Sequence, residues 1–211
     1  SNSTTHMMLY LPTVAEDGNI WLNNNLGAHY ANINHPSFNP AQQATSATDH
    51  LAYGSLFQWG RKPDGHELIG TTGTAVNGTI GSQSNNPADA LFIIGFSDWR
   101  STQDDTLWAT EASANNPCPV GYKVPTNAEL TTLATSSGIT NSATAASSAM
   151  KFTVPGYRYY SDGSLIGVGS GGYYWSSSVS GTLASFRSFS GGTGTSNSIR
   201  AYGLTVRCLK D

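Results

Sequence analysis

Cys118-Pro119-Val120-Gly121-Tyr122-Lys123-Val124-Pro125-Thr126-Asn127-Ala128-Glu129-Leu130 joins a short β-prone run to the clearest helix start in the chain. Thr126 can cap the first free N–H groups of a helix. Glu129 stands three residues on, where its carboxylate can reach back to the cap, and together they read as a capping box. Leu130 and Leu133 follow at helical spacing and Gly138 supplies a stop, so a short helix is expected between Thr126 and Gly138. Helical signal elsewhere is scarce. A second candidate runs from Pro40 to Tyr53, with Pro40 in its first turn and Ala44, Ala47, Leu51 and Ala52 on one face.

Outward from these segments the chain reads as short strands broken by Gly, Asn and Ser. Asn19-Ile20-Trp21-Leu22 leaves an Asp17-Gly18 turn. The run Phe152 to Tyr160 enters a second turn at Asp162-Gly163, which Ser164 to Val168 leaves, a hairpin signal because Gly supplies the positive φ the turn needs. Tyr173 to Ser176, Ala184 to Phe189 and Leu204 to Leu209 read as three more strands. Ala90 to Phe96 reads as one buried strand or turn segment. Between Arg61 and Asn116 lies a long polar insertion, including residues 70–74 and 82–87, which Trp99 and Trp108 are expected to pin to the body. Residues 1–15 read as an N-terminal tail, and Ser1 to Met8, with its His6-Met7 cloning-type junction, as a remnant or trimmed end outside the fold. The remainder, 16–211, reads as one α+β domain of two short helices, small antiparallel sheets and long ordered loops.

Charged residues make up 11% of the chain and the net charge is -3, against roughly 25% charged in ordinary soluble proteins. Such a surface lacks the basic patch a nucleic-acid partner requires. No apolar run approaches the ~20 residues that span a bilayer, so neither nucleic acid nor direct membrane insertion is expected. Cys118 and Cys208 lack CxxC spacing. Two readings stand open: two buried thiols, or one disulfide closing a long loop and adding about 2–4 kcal/mol.

Catalytic chemistry finds little support, and the chain is read as no enzyme, with no cofactor and no metal. His29, His35, His50 and His66 are scattered and form no HExxH pair. Asp64-Gly65-His66-Glu67 reads as a hydrogen-bonded turn in preference to a metal site. Asp104-Asp105 reads as a solvated loop or helix cap. Ser176-Ser177-Ser178 lacks a nucleophile elbow, and Gly191-Gly192-Thr193-Gly194 lacks the Lys-Ser/Thr of a phosphate loop. From Ser176 to Ile199 the chain is instead dominated by Ser, Gly and Thr. That segment cannot build much core and must be draped over a scaffold with alternate residues facing solvent. Tyr173, Tyr174, Trp175 and Phe189 stand beside it as the aromatics that could underlie it.

The ordered blocks Asn19 to Leu26, Tyr53-Gly54-Ser55-Leu56-Phe57-Gln58-Trp59-Gly60-Arg61, Cys118 to Glu129, Pro155-Gly156-Tyr157-Arg158, Asp162-Gly163-Ser164-Leu165, Tyr174-Trp175-Ser176-Ser177 and Arg200 to Cys208 resemble the Fibrobacter-type major paralogous domain of the C-type lectin fold superfamily. The resemblance runs from about Gly18 to the C-terminus. Within that family the chain is most similar to the variable proteins of diversity-generating retroelements of viruses and prokaryotes, whose last segment is rewritten at adenines. Randomised AAY codons cannot encode Lys, Glu, Gln, Met or Trp, and none of these occurs from Ser176 to Leu209.

The resemblance implies a C-type lectin fold and a ligand- or receptor-binding protein displaying a hypervariable surface at about 176–202. Ser178, Ser180, Thr182, Ser185, Phe186, Arg187, Ser188, Ser190, Thr193, Thr195, Asn197, Ile199 and Tyr202 would form that face, with Phe186, Arg187, Asn197 and Ile199 as the strongest contacts. The small hydroxyls read as a weak or unselected copy. The partner would be a protein or glycan on a cell surface, and the setting extracellular, on a cell or on a virion. A non-variable adhesin or lipoprotein module of the same fold is the alternative. The Glu-Pro-Asn and Trp-Asn-Asp motifs of calcium-dependent lectins are absent, Ser176-Ser177 following Trp175, which leaves no oxygen cage for calcium at that place. The two cysteines fall in structural blocks, so the activity of the formylglycine-generating relatives of this fold is not carried over.

Overall fold

The hairpin at Asp17-Gly18 forms with β1 (Pro12–Val14) antiparallel to β2 (Ile20–Leu22), Pro12 opposite Leu22, and Gly18 takes φ 80°. A computed structural model describes residues 7–69, 77–78, 87 and 91–211. β1 lies inside the stretch read as a tail, a correction with a clear physical cause. Leu9 N–H bonds the Ala31 carbonyl, Asn23 N–H the Leu11 carbonyl, and the Tyr10 hydroxyl accepts from Gly27 N–H. Residues 7–15 are therefore part of the domain.

Most of the remaining strands are two residues long: β3 (Phe57–Gln58), β4 (Asn77–Gly78), β5 (Phe92–Ile93), β6 (Tyr122–Lys123), β7 (Tyr157–Arg158), β8 (Leu165–Ile166), β12 (Gly203–Leu204) and β13 (Leu209–Lys210); the long ones are β9 (Gly172–Ser180), β10 (Leu183–Phe189) and β11 (Thr193–Ile199). One sheet runs β1-β2-β13-β6, joining the two ends of the chain, and a second runs β3-β12-β7-β8. A third, β11-β10-β9, carries the C-terminal Ser/Gly/Thr segment. β4 and β5 pair in parallel. The run expected at Leu204 to Leu209 is split between two sheets, and Phe96, at the end of the run beginning at Ala90, is exposed. Residues 70–74 and 82–86 lie outside the described residues.

Helix α1 (Asn127–Ser136) starts as read, with Thr126 as N-cap and Glu129 closing the capping box. Leu130, Leu133 and Ala134 are buried. The segment Pro40 to Tyr53 contradicts its helical reading: only a one-turn 3-10 helix, His50–Ala52, forms there. Its carbonyls are taken by a run of buried asparagine amides. Asn23 donates to Pro40 O and Asn24 to Gln42 O, both at 2.7 Å, and Asn25 to Ala52 O and Tyr53 O. The second helix is α2 (Ser142–Ser147), capped by an Asn141–Thr144 box. It buries only Ala145 and so leaves no apolar period to read.

With so little regular structure, buried polar side chains brace the loops. All five tryptophans are at most 1% exposed, and each indole N–H has an acceptor: Asp17 for Trp21, Ser176 O for Trp59, Trp59 O for Trp99, Asn115 O for Trp108 and Phe57 O for Trp175. Trp99 through its bond to Trp59 O, and Trp108 through packing on the Trp59 ring, anchor the insertion as expected. Arg61, Arg158, Arg200 and Arg207 are buried too, each over an aromatic ring. Arg207 donates to Asn25 Oδ1 and to the carbonyls of Leu22, Asn23 and Met150, and burial lowers its pKa to about 10. Of the two cysteine readings, the structure has the disulfide Cys118–Cys208.

Candidate functional site

The β9–β11 sheet separates two cores. Its α1 side carries Tyr174 and Phe189, packed with Phe152, Leu130 and Leu133. Its other side carries Trp175 and Ala184, packed with Trp59, Leu204 and Val206. Strand alternation sets the division: in the β10–β11 pairing, Ser185 faces Asn197, Phe186 faces Ser196 and Arg187 faces Thr195. Phe186 and Ser188 therefore lie on one face, Ser185 and Arg187 on the other.

The residues expected to form one contact surface are divided accordingly. Ser180 and Thr182 are exposed at the β9–β10 turn, and Thr195 and Asn197 along β11. Phe186, Ser188, Ser190, Thr193, Ile199 and Tyr202 are half-buried. Ser185 and Arg187 correct the expectation of an open contact, being 6% and 8% exposed. The Ser185 hydroxyl donates to Asn197 Oδ1, and Arg187 lies under α1, where its Nη1 donates to Thr131 Oγ1 at 3.3 Å. Burial lowers the Arg187 pKa. Ser178 is structural as well, its hydroxyl accepting from Asn127 N–H at the start of α1. The serine run is a bulge: pairing with β10 jumps from Trp175 opposite Phe186 to Val179 opposite Ala184, while Ser177 N–H bonds Pro125 O.

On the Phe186 face the structure assembles a cluster of half-buried aromatic rings, most of them outside the expected set. Tyr202 is its hub, with ring centroids 5.5 Å from Tyr157, 5.6 Å from Tyr159 and 5.2 Å from Tyr160. Tyr157 meets Tyr173 edge-on at 5.1 Å, and Tyr173 meets Phe186 at 6.0 Å. A pocket of about 230 Å³ opens among Tyr157, Tyr173, Phe186, Ser198, Tyr202 and Leu204. Four of these residues come from outside the Ser/Gly/Thr segment: Tyr157 on β7, Tyr173 on β9, Tyr202 just before β12 and Leu204 on β12.

The supports beneath the rings are specific. Buried Arg158 donates from Nε to Gly163 O and from Nη1 to His66 O, holding the β7–β8 turn that presents Tyr159 and Tyr160. Gly203 lets β12 lie against this guanidinium stem, since a Cβ there would come within 2.9 Å of both Arg158 Cβ and the Phe92 ring. Burial, then the neighbouring phenols of Tyr159, Tyr157 and Tyr160, push the Tyr202 pKa up. The sequence signal for this cluster was the run Tyr157-Arg158-Tyr159-Tyr160 before an Asp-Gly turn, where alternation places two phenols on one side of a buried Arg.

The Asp64-Gly65-His66-Glu67 segment is a braced turn. His66 Nε2 accepts from Gln58 N–H at 3.0 Å, which leaves the proton on Nδ1 for Asp64 Oδ1 at 2.6 Å. Glu67 accepts from Gly65 N–H. The three side chains are close enough to share an ion, yet both imidazole nitrogens are committed within the chain. A second cleft, about 220 Å³, lies beside the disulfide among Tyr10, Phe57, Pro63, Pro117 and Pro119, away from the C-terminal sheet. Among the described residues no helix is long and apolar enough to cross a membrane. Comparison with family models, curated proteins and solved structures finds no match to this chain.

Proposed function

We propose that this chain is a ligand- or receptor-binding protein with a C-type lectin fold, of the kind that diversity-generating retroelements vary, and that it is not an enzyme. The observation that carries the reading is the tyrosine pocket. Rings that are partly open to solvent and fixed by buried arginines and glycines give large contact area at small cost in ordering entropy. Serines and threonines around them supply adaptable hydrogen bonds, the composition of an antibody-like contact surface. Ligand contact falls on Tyr157, Tyr159, Tyr160, Tyr173, Phe186, Ser198 and Tyr202, with Ser180, Thr182, Thr195 and Asn197 at the margin. The partner is a protein or glycan on a cell surface. A disulfide fits an extracellular, cell-surface or virion setting, where oxidising conditions preserve it.

Reading the DNA beside the gene, and the gene itself across a population, tests the proposal. The expected result is an adjacent template repeat with a reverse transcriptase, and variation concentrated at the codons for Ser180, Thr182, Phe186, Thr195, Asn197 and Tyr202. Trp175, Ala184 and Phe189 should be constant. An invariant gene without a repeat would remove the hypervariable reading and leave the non-variable adhesin or lipoprotein module.

A further inference from the structure

The four rings around the tyrosine pocket stand as walls and not as a stack. Tyr157 meets Tyr173 at 89° between ring planes, Tyr202 meets Tyr157 at 73°, and Phe186 meets Tyr173 at 61°. The run of rings therefore turns a corner at each contact. All four line one cavity, together with Ser198 and Leu204. Its volume of about 230 Å³ lies below the ~300 Å³ at which drug-sized pockets begin, and it suits one compact group. The walls are braced from behind. Phe186 meets buried Trp175 edge-on at 6.1 Å. A Cβ on Gly171 would come within 2.8 Å of the Tyr173 hydroxyl and 2.9 Å of its ring, so the missing side chain leaves that ring its place. None of the six lining side chains belongs to a charged residue type.

We infer that this cavity, taken as the ligand site proposed above, is an aromatic cage for the methylated ammonium of a lysine side chain on a partner protein. A ring face carries partial negative charge, and a cation within ~6 Å of the ring centroid is drawn to it. Rings set steeply to one another can each turn a face to one central group, which stacked rings cannot. The lining then selects among cations. An unmethylated ammonium brings three N–H donors that need acceptors once out of water, and these six residues include no carboxylate. A trimethylammonium has no N–H donor, and its methyl groups fill apolar space beside Leu204. No Asn, Gln, Asp, Glu or Arg stands in the lining to pair with the hydroxyls of a sugar. A choline headgroup carries a phosphate close to its ammonium, and the lining has no Lys or Arg to meet it. A lysine reaches the cage on an uncharged four-carbon stem. Walls already fixed in place keep the ordering cost of binding small.

Titration of the chain with blocked Gly-Lys-Gly tripeptides, followed through the tyrosine and phenylalanine ring resonances in ¹H–¹³C spectra, tests this. The lysine is supplied in three forms: trimethylated, unmethylated, and as the neutral isostere with a tert-butyl group in place of trimethylammonium. Phosphocholine is a fourth probe, and potassium chloride at equal ionic strength the control. The expected result is saturable binding of the trimethylated peptide, with its N-methyl protons moved upfield by the surrounding rings. Its affinity should exceed that of the unmethylated and neutral forms tenfold or more, and fall tenfold or more in Y157L and Y202A. Should a variant not fold, the comparison of the three peptides on the wild-type chain decides alone. Absence of saturable binding by the trimethylated peptide, or equal binding of the neutral isostere, overturns the inference. Tighter binding of phosphocholine than of the trimethylated peptide overturns the assignment to lysine. Equal binding of the neutral isostere that is lost in Y202A would overturn the cation alone and leave the pocket as a ligand site, so the two failures are distinct.

Discussion

Replacing both cysteines, Cys118→Ala with Cys208→Ala, releases a cross-link between residues 90 positions apart. The closed loop holds α1, α2 and β6 to β12, and with them both the tyrosine pocket and the sheet beneath it. For a loop of this length the chain-entropy relation gives about 15 cal/mol/K, or about 4–5 kcal/mol at 25 °C. Unfolding entropy near ~2.1 cal/mol/K per residue over 211 residues converts this to a fall in Tm of roughly 10 °C. Thermal unfolding followed by near-UV circular dichroism measures it, on the double variant and on the wild-type chain with and without reductant. Equal falls in the variant and the reduced wild type would assign the effect to the cross-link. A fall under about 3 °C in both would refute the reasoning, showing that the cross-link restrains little of the unfolded chain.

Other expected outcomes follow from the same contacts. Arg207→Met leaves Asn25 Oδ1 and the carbonyls of Leu22, Asn23 and Met150 without their buried donor; urea unfolding should show a loss of about 3–5 kcal/mol. Trp99→Phe removes the N–H that holds Trp59 O at 2.6 Å, so stability should fall by about 1–3 kcal/mol, and limited proteolysis should cut faster within the insertion. Burial raises the Asp64 pKa, but hydrogen bonds and charge from His66 and Arg61 outweigh it and hold the carboxyl at about 2. A folded pKa below the unfolded one stabilises at pH values above about 4, and that stabilisation fades as pH falls toward 2. Asp64→Asn should therefore cost about 2 kcal/mol at pH 7 and little at pH 2, read from denaturation at both pH values.

Where local chemistry decides a conformation, the sequence was legible. Thr126 with Glu129, and Gly18 and Gly163 in their turns, fold as their side chains and φ freedom require. The α+β class was legible from the same local signals, and the anchoring by Trp99 and Trp108 from the burial that large indoles demand in a polar stretch. Pro40 to Tyr53 was misread because its fate is set by Asn23, Asn24 and Asn25, distant amides that outbid a weak helical propensity for its carbonyls. The site was half legible. Phe186 and Tyr202 stand in the pocket, but Ser178 and Arg187 were assigned to an open surface by position alone. The bulge at Ser176 to Ser178 and the cover of α1 are tertiary facts that composition does not encode. Tyr157, Tyr159 and Tyr160 were marked by their own run, but they join the site by packing on the distant Tyr202, a pairing no local pattern reveals.

The most direct test is an affinity measurement on an array of cell-surface glycans and surface proteins, with the wild-type chain beside Tyr202→Ala and, as control, Val120→Asp at a position 94% exposed. The account predicts at least one ligand whose affinity falls tenfold or more in Tyr202→Ala, the size expected of a buried aromatic anchor, and is unchanged in Val120→Asp. Ligands bound equally well by the wild-type chain and Tyr202→Ala would contradict it.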